Sequence, residues 1–205
     1  MPTLMSLSDV KARLPSKVHT DEARRIQKYL QHVDNKRKKP WTITLYGSAA
    51  VALYLADEHT QFEPNYTRDI DLAWMEPDEI DCSQFENKSV DPPLHFQTYN
   101  VERWLVHPDW KDSVVDVTKI LETSLLQVRL LHPLDLIITK LERAGGEDLE
   151  DGQRLFERYS EDIERVRERV WEAAKYYPLS SQSVSQIEFS FAGIFEDEID
   201  LSGLQ

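Results

Sequence analysis

Two short segments constrain what this 205-residue chain can fold into more than any other feature. The first is Gly47-Ser48, which follows an apolar run that begins at Trp41. The second is an Asp-x-Asp pair, Asp69 and Asp71, at the start of another apolar run. Alternate side chains of a strand share one face, so the two carboxylates should point the same way. Like charges this close repel each other, and a divalent cation removes that cost.

The chemistry of these carboxylates favours a magnesium or manganese site. Magnesium takes oxygen ligands and usually binds proteins through only one or two carboxylates, with the rest of its shell supplied by water and substrate phosphates. Two metals can also clamp the attacking and leaving oxygens of an in-line displacement. Asp69 and Asp71 are therefore the predicted metal ligands.

The Gly-Ser turn supplies the phosphate half of the predicted site. Glycine permits a sharp turn and a close approach of the backbone to a ligand, which is the role expected of Gly47. Ser48 is expected to cap a helix from Ala49 to about Ala56, and a helix N-terminus offers N–H groups to phosphate. Either motif alone is more often an ordinary turn or a solvated strand edge. Their order, each joined to an apolar strand, favours a functional site.

With these motifs the chain resembles the polymerase-beta-like nucleotidyltransferase superfamily, whose signature is an apolar residue, Gly, Gly or Ser, a spacer and Asp-x-Asp. It is most similar to minimal bacterial nucleotidyltransferases related to AbiEii-like abortive-infection toxins. Those proteins carry a Thr and a basic residue before Asp-Ile-Asp-Leu, as Thr67 and Arg68 stand here. They also carry a Pro-initiated helix with Lys-Leu, which matches the segment 133–141. The resemblance covers residues 41–160.

This resemblance implies an α+β nucleotidyltransferase fold, with a mixed central sheet flanked by helices and a helical C-terminal part. It implies a metal-dependent enzyme that transfers NMP from an NTP to an acceptor hydroxyl on a tRNA end or a protein. Arg68, Gly47 and Ser48 would contact the nucleotide. The implied setting is a toxin–antitoxin or phage-defence system, with a cognate antitoxin as a partner. The alternative is a non-catalytic binding or regulatory module that keeps the fold.

Further site residues come from the same resemblance. A third carboxylate is expected on a neighbouring strand, with Asp116 the best candidate and Asp112 a weaker one; the alternative for Asp116 is the solvent face of its strand. Lys140 would contact phosphates, or else be a solvated lysine of an amphipathic helix. Asp148, in the first turn of the next helix, would be catalytic or would only complement the helix dipole, and Asp151 could replace it.

Composition narrows the class of protein. The net charge is −13, and residues 1–40 carry +6 of it, so the remainder of the chain carries −19. Such an acidic body argues against broad, non-specific nucleic-acid binding. The single cysteine, Cys82, excludes an internal disulfide and indicates a reducing cytoplasm. No run approaches the ~18 apolar residues of a membrane span, and we expect no membrane partner.

The pattern of apolar residues predicts four parts. These are an N-terminal helical segment, the nucleotidyltransferase core, a helical part packed on that core, and an acidic-aromatic tail, spanning residues 1–40, 41–132, 133–178 and 179–205. Predicted helices lie at 6–34, 49–56, 77–85 and 148–177, and predicted strands at 41–46, 69–74, 95–99, 102–106, 114–118 and 128–131. Residues 179–186, rich in Ser and Gln, are predicted to form a linker.

Overall fold

The computed structural model of the chain describes residues 6–58, 67–74, 85, 90–98, 105–143, 145–159 and 162–204. The chain divides into two compact units. The sheet unit consists of residues 14–100 and 114–131. The helical unit consists of residues 1–13, 101–113 and 132–205.

The sheet unit is built on five strands, which are β1 (Trp41–Tyr46), β2 (Asp69–Trp74), β3 (His95–Thr98), β4 (Val115–Asp116) and β5 (Leu126–Leu130). Their order across the sheet is β3-β2-β1-β5-β4. The central strand β1 runs antiparallel to β2 and parallel to β5. At the edges, β3 is parallel to β2 and β4 is antiparallel to β5. The predicted mixed central sheet is confirmed.

One face of this sheet packs in the core. Six apolar side chains from β1, β2 and β5 are fully buried, namely Ile43, Leu45, Ile70, Leu72, Val128 and Leu130. Side chains alternate along a strand, so Asp69 and Asp71, which flank Ile70 in β2, lie on the opposite face. Burial of the apolar set therefore directs Asp69 and Asp71 away from the core and sets the orientation of the candidate site.

The helices of the sheet unit are α2 (Asp21–Lys36), α3 (Gly47–Tyr54) and α4 (Thr118–Leu121). The apolar face of α2 follows helical spacing, and Ile26, Leu30 and Val33 are fully buried. Thr20 caps this helix, since its side chain accepts a hydrogen bond from the Ala23 N–H.

The prediction that residues 6–34 are helical is wrong in one respect. The structure has α1 (Leu7–Arg13), then a non-helical segment, then α2. Pro15 accounts for the break, because the residue before a proline is disfavoured in helical conformation.

The helical unit contains α1, α5 (Pro133–Arg143), α6 (Gly146–Tyr159), α7 (Ile163–Tyr176) and α8 (Ser181–Phe195). Two short 3-10 helices lie at Trp110–Ser113 and Ser202–Leu204. Helix α5 is the core element of this unit: it packs against α6, α7 and α8, and its residues from Pro133 to Leu141 are all buried. Burial on every side is typical of a helix in a core position.

Two predictions about the C-terminal elements are wrong. The helix predicted over 148–177 is two helices, because Asp162 caps a new one by accepting from the Glu164 N–H. The predicted linker at 179–186 is largely the start of α8. Ser180 caps α8 through a hydrogen bond from the Ser183 N–H at 3.0 Å, so the serines that suggested a linker begin a helix.

The remaining strand predictions differ in extent. The predicted strand 114–118 is only Val115–Asp116, since α4 begins at Thr118. Leu105 and Val106 do not form a strand. The other residues of the strand predicted over 102–106 lie outside the described residues. So does the short helix predicted over 77–85, apart from residue 85. Among the helices that the structure describes, none is long and apolar enough to cross a membrane.

Candidate functional site

The turn between β1 and α3 is built around Gly47. This glycine is the first residue of α3 and has a φ of 66°, a left-handed conformation that side chains other than glycine rarely adopt. The cap position falls on Tyr46, which makes no side-chain cap hydrogen bond. The prediction that Ser48 caps the helix is therefore wrong: Ser48 is the exposed second residue of α3.

Asp71 lies directly against this turn. Antiparallel pairing of β1 with β2 places Asp71 opposite Tyr46, the residue before Gly47. A Cβ atom added at Gly47 would lie 2.3 Å from Asp71 Oδ2 and 3.3 Å from Asp71 Cγ. Only a glycine leaves room for the carboxylate at this position. The structure thus brings together the two motifs that the sequence singles out.

Asp69 and Asp71 occupy one face of β2, as their spacing predicts. Both are partly exposed. Ile70, which lies between them, and Leu72, which follows Asp71, are fully buried. The Thr67 hydroxyl donates to the Asp69 carbonyl oxygen at 3.0 Å and to its Oδ1 atom at 3.3 Å. Asp69 is thus tied to the segment that leads into its strand.

The donor set suits a magnesium or manganese ion with an incomplete protein shell. Within the described ranges, no group of three or more His, Cys, Asp and Glu side chains is arranged to hold a metal. A cation would therefore take carboxylate oxygens from Asp69 and Asp71 and complete its shell with water and phosphate oxygens. This is the usual coordination of magnesium beside a nucleotide. The residues present fit such an ion.

Asp116 is not on a strand next to β2. It lies on β4, and β1 and β5 stand between that strand and β2. Adjacent strands are about 4.8 Å apart, so three spacings separate β4 from β2 by roughly 14 Å. The expectation of a third carboxylate on a neighbouring strand is therefore wrong for Asp116, and Asp112 is an exposed residue of a 3-10 helix.

The structure shows what Asp116 does instead. It is exposed, and its carboxylate accepts from the Thr118 N–H at 2.9 Å and from Gln127 Nε2 at 3.0 Å. Partial desolvation of the carboxyl group favours the neutral acid, but these hydrogen bonds and the charge of Arg129 favour the carboxylate more strongly. The pKa of Asp116 is accordingly lowered from its ordinary value. Its role in the fold is to hold the turn after β4.

The strand that does neighbour β2 carries two polar residues that the sequence analysis missed. In the parallel pairing of β3 with β2, His95 stands level with Asp69 and Gln97 with Asp71. His95 is exposed and Gln97 partly exposed, whereas Phe96 between them is buried. Strand order was the missing information, since nothing in the residues themselves marks β3 as the neighbour of β2.

Lys140 and Asp148 meet in the helical unit. Lys140 is 1% exposed, and its Nζ atom donates to Asp148 Oδ1 at 2.7 Å and to Asp151 Oδ2 at 2.8 Å. Arg143 Nε lies 3.4 Å from Asp148 Oδ2. Asp148 is in the first turn of α6, as predicted, but the alternative of a solvated Lys140 is wrong. Contact of Lys140 with nucleotide phosphates, and a catalytic Asp148, stay predictions.

These observations define a class of protein. A mixed sheet, helices against it, a glycine turn after the central strand and an Asp-x-Asp on the adjacent antiparallel strand make up the nucleotidyltransferase fold. The chain belongs to the family described as nucleotidyltransferases of unknown function, DUF6036, whose model matches residues 22–197. Comparison with curated proteins and with solved structures gave no match.

Proposed function

We propose that the protein transfers a nucleoside monophosphate from an NTP to an acceptor hydroxyl, in a reaction that depends on magnesium or manganese. The observation that carries the proposal is the contact between the Asp71 carboxylate and the backbone of Gly47. This contact supports the proposal, because Asp71 is the predicted cation ligand and the N-terminus of α3 is the predicted site of phosphate binding. Membership in a nucleotidyltransferase family supports the same reaction class.

Different residues of the sheet unit would bind the phosphates, the nucleotide and the cation. In this proposal the phosphates bind at the N-terminus of α3, where the helix dipole has its positive end. The exposed Arg68, next to Asp69, adds a positive charge for the nucleotide. Asp69 and Asp71 would hold the divalent cation, which supplies charge neutralisation for the phosphates when it is bound.

The proposed reaction is an in-line displacement at the α-phosphorus of the NTP. The acceptor hydroxyl oxygen forms a bond to that phosphorus, the bond from the α-phosphorus to the bridging oxygen breaks, and pyrophosphate leaves with the bond electrons. The hydroxyl proton is released to water. The chain contributes mainly by orientation and by charge, which are the principal sources of rate in phosphate transfer.

The acceptor in this proposal is the hydroxyl of a tRNA end or of a protein side chain, and the setting is a toxin–antitoxin or phage-defence system with a cognate antitoxin. This part rests on the resemblance of residues 67–72 to the abortive-infection toxins. The experiment below is designed to identify the acceptor as well as the donor.

The test is incubation of the purified protein with magnesium, cell extract and each of the four NTPs labelled at the α-phosphate. We expect one or more NTPs to label a discrete RNA or protein band, and Asp71→Asn to abolish the labelling. Asp116→Asn is the matched control, because it makes the same change at an exposed carboxylate on β4 and should label like the wild type.

The alternative, a non-catalytic module, predicts a different result. A protein that is stabilised against heat by an NTP with magnesium, but labels nothing with any of the four, would be a nucleotide-binding regulator. Labelling that persists undiminished in folded Asp71→Asn would contradict the assignment of the site itself.

A further inference from the structure

Glu22 and Arg25 of α2 form a buried ion pair beside the segment that precedes β2. Arg25 Nε donates to Glu22 Oε2 and Arg25 Nη2 to Glu22 Oε1, each at 2.8 Å. Glu22 is 8% exposed and Arg25 is 5% exposed. The two side chains therefore form a bidentate pair shielded from water, in which the planar guanidinium fixes the direction of every donor.

The same pair binds the backbone ahead of two strands. The Thr67 N–H donates to Glu22 Oε1 at 3.0 Å, and Arg25 Nη2 donates to the Thr67 carbonyl oxygen. Arg25 Nη1 donates to the Pro92 carbonyl oxygen. Thr67 lies two residues before β2, and Pro92 lies three residues before β3. Both strands of the candidate site are thus anchored to one guanidinium just before they begin.

A short chain of hydrogen bonds continues from this pair to a metal-binding candidate. The backbone of Thr67 is held on both sides, through its N–H by Glu22 and through its carbonyl by Arg25. Its hydroxyl in turn donates to Asp69. The ion pair therefore reaches the Asp69 carboxylate through a single intervening residue.

The energetics of buried ion pairs suggest that this one is not needed for stability alone. Removing two charges from water offsets much of their attraction, and replacing a buried pair with well-packed apolar side chains is often neutral or stabilising. What apolar side chains cannot supply is directional bonding to the Thr67 and Pro92 backbone groups. The distinctive contribution of Glu22 and Arg25 is therefore geometric.

We propose that Glu22 and Arg25 are positioning residues that hold Asp69, at the start of β2, in the orientation needed to bind a divalent cation. This inference rests on the proposed function of Asp69 and Asp71. Neither residue touches the nucleotide in this account; both act through Thr67. Changes to residues that orient a metal ligand typically lower metal affinity or activity by about 10- to 100-fold.

The test measures binding of Mn²⁺ alone by electron paramagnetic resonance, together with kcat for the labelled NTP that the wild type transfers. The main variant is the double change Glu22→Leu with Arg25→Met, which removes both charges and keeps apolar volume. Arg25→Lys is the conservative variant, since it keeps the charge but not the planar fork. Thermal unfolding of every variant reports on the fold.

Asp34→Asn is a matched control from the same helix. The Asp34 carboxylate accepts from the N–H groups of Ser124 and Leu125 at 2.9 and 2.7 Å, ahead of β5. It thus anchors the backbone before a strand in the same way, but β5 carries none of the residues of the candidate site. We expect Asp34→Asn to lower the unfolding temperature and to leave Mn²⁺ affinity and kcat unchanged.

The expected result is a folded double variant with Mn²⁺ affinity and kcat about 10- to 100-fold below the wild type, and Arg25→Lys in between. A folded double variant that binds Mn²⁺ as tightly as the wild type would overturn the proposal, as would an equal loss in Asp34→Asn. If the double variant does not fold, Arg25→Lys decides by the same criterion. A wild type that transfers no label would contradict the proposed function, while the Mn²⁺ comparison would still test the positioning role.

Discussion

At the scale of single residues, Gly47 and Asp71 define the candidate site because the absence of a side chain at Gly47 leaves room for the Asp71 carboxylate. The sequence predicts both as site residues from their types and their attachment to apolar strands. The contact between them depends on the register of β1 against β2, which shifts at a bulge between Thr44 and Leu45. A bulge of this kind leaves no clear mark on a sequence, so the contact itself could not be predicted.

Gly47→Ala should impair both stability and activity. The alanine Cβ would meet Asp71 Oδ2 at 2.3 Å, and the φ of 66° is unfavourable for any side chain. We expect the free energy of unfolding to fall by about 1–3 kcal/mol. Displacement of the carboxylate should lower nucleotide transfer by roughly 100-fold. Denaturant unfolding and label transfer measure the two effects.

The control for this change is Gly146→Ala at the start of α6. A Cβ there would meet nothing within 4 Å, and the residue has no positive φ. It should leave transfer intact and change stability by less than about 1 kcal/mol, in the stabilising direction. Equal losses in the two variants would contradict the special role of Gly47.

Glu142, on α5, should make stability depend on pH. Partial burial raises the pKa of its carboxyl group above the ordinary value, although a hydrogen bond from the Leu105 N–H opposes the shift. A raised pKa means that the folded state prefers the protonated acid. The stability that this group contributes is therefore complete below pH 4.5 and is lost as pH rises through the folded-state pKa.

Glu142→Gln should accordingly raise the free energy of unfolding at pH 7, because glutamine keeps an acceptor for the Leu105 N–H without a buried charge. The gain over the wild type should vanish at pH 4. Urea unfolding at the two pH values measures it, and the exposed Glu150→Gln controls for the loss of one negative charge. A gain of the same size at both pH values would rule out the burial of charge as its cause.

At the scale of secondary structure, the sequence predicts elements best where apolar spacing and turn chemistry agree. Strands β1 and β2 were predicted with their boundaries, since each combines an apolar pattern with a clear start or stop. Helix α8 was missed because Ser and Gln favour loops by composition. The helix begins because Ser180 caps it, and serine is also one of the residue types that suggested a linker.

The packing of α5 against α7 offers a test at this scale. Arg169 and Asp135 form a bidentate pair with nitrogen–oxygen distances of 2.9 and 2.7 Å, and are 4% and 0% exposed. Arg169→Met leaves a buried, unpaired carboxylate and should lower the free energy of unfolding by about 3–5 kcal/mol. Chemical denaturation measures the loss.

Adding Asp135→Leu to Arg169→Met should restore most of that stability, because the second change removes the stranded charge. A double variant as unstable as the single one would show that directional bonding across the two helices, rather than charge burial, is what the pair provides.

At the scale of the whole chain, fold class follows from sequence but strand order does not. The resemblance carried by the two motifs implies an α+β nucleotidyltransferase fold. The family match spans residues 22–197 and reaches into both compact units. The order β3-β2-β1-β5-β4 brings strands distant in sequence side by side, which depends on long-range packing. That is why Asp116 was expected on a neighbour of β2, and why the position of His95 beside Asp69 was not predicted.

The most direct test of the central claim compares NTP labelled at the α-phosphate with the same NTP labelled at the γ-phosphate, each incubated with the protein, magnesium and cell extract. Attack at the α-phosphorus predicts that only the α-label enters the acceptor, that the γ-label is released in pyrophosphate, and that both signals disappear in Asp71→Asn. Entry of the γ-label into the acceptor, with the α-label left on a nucleoside diphosphate, would contradict nucleotidyl transfer at this site.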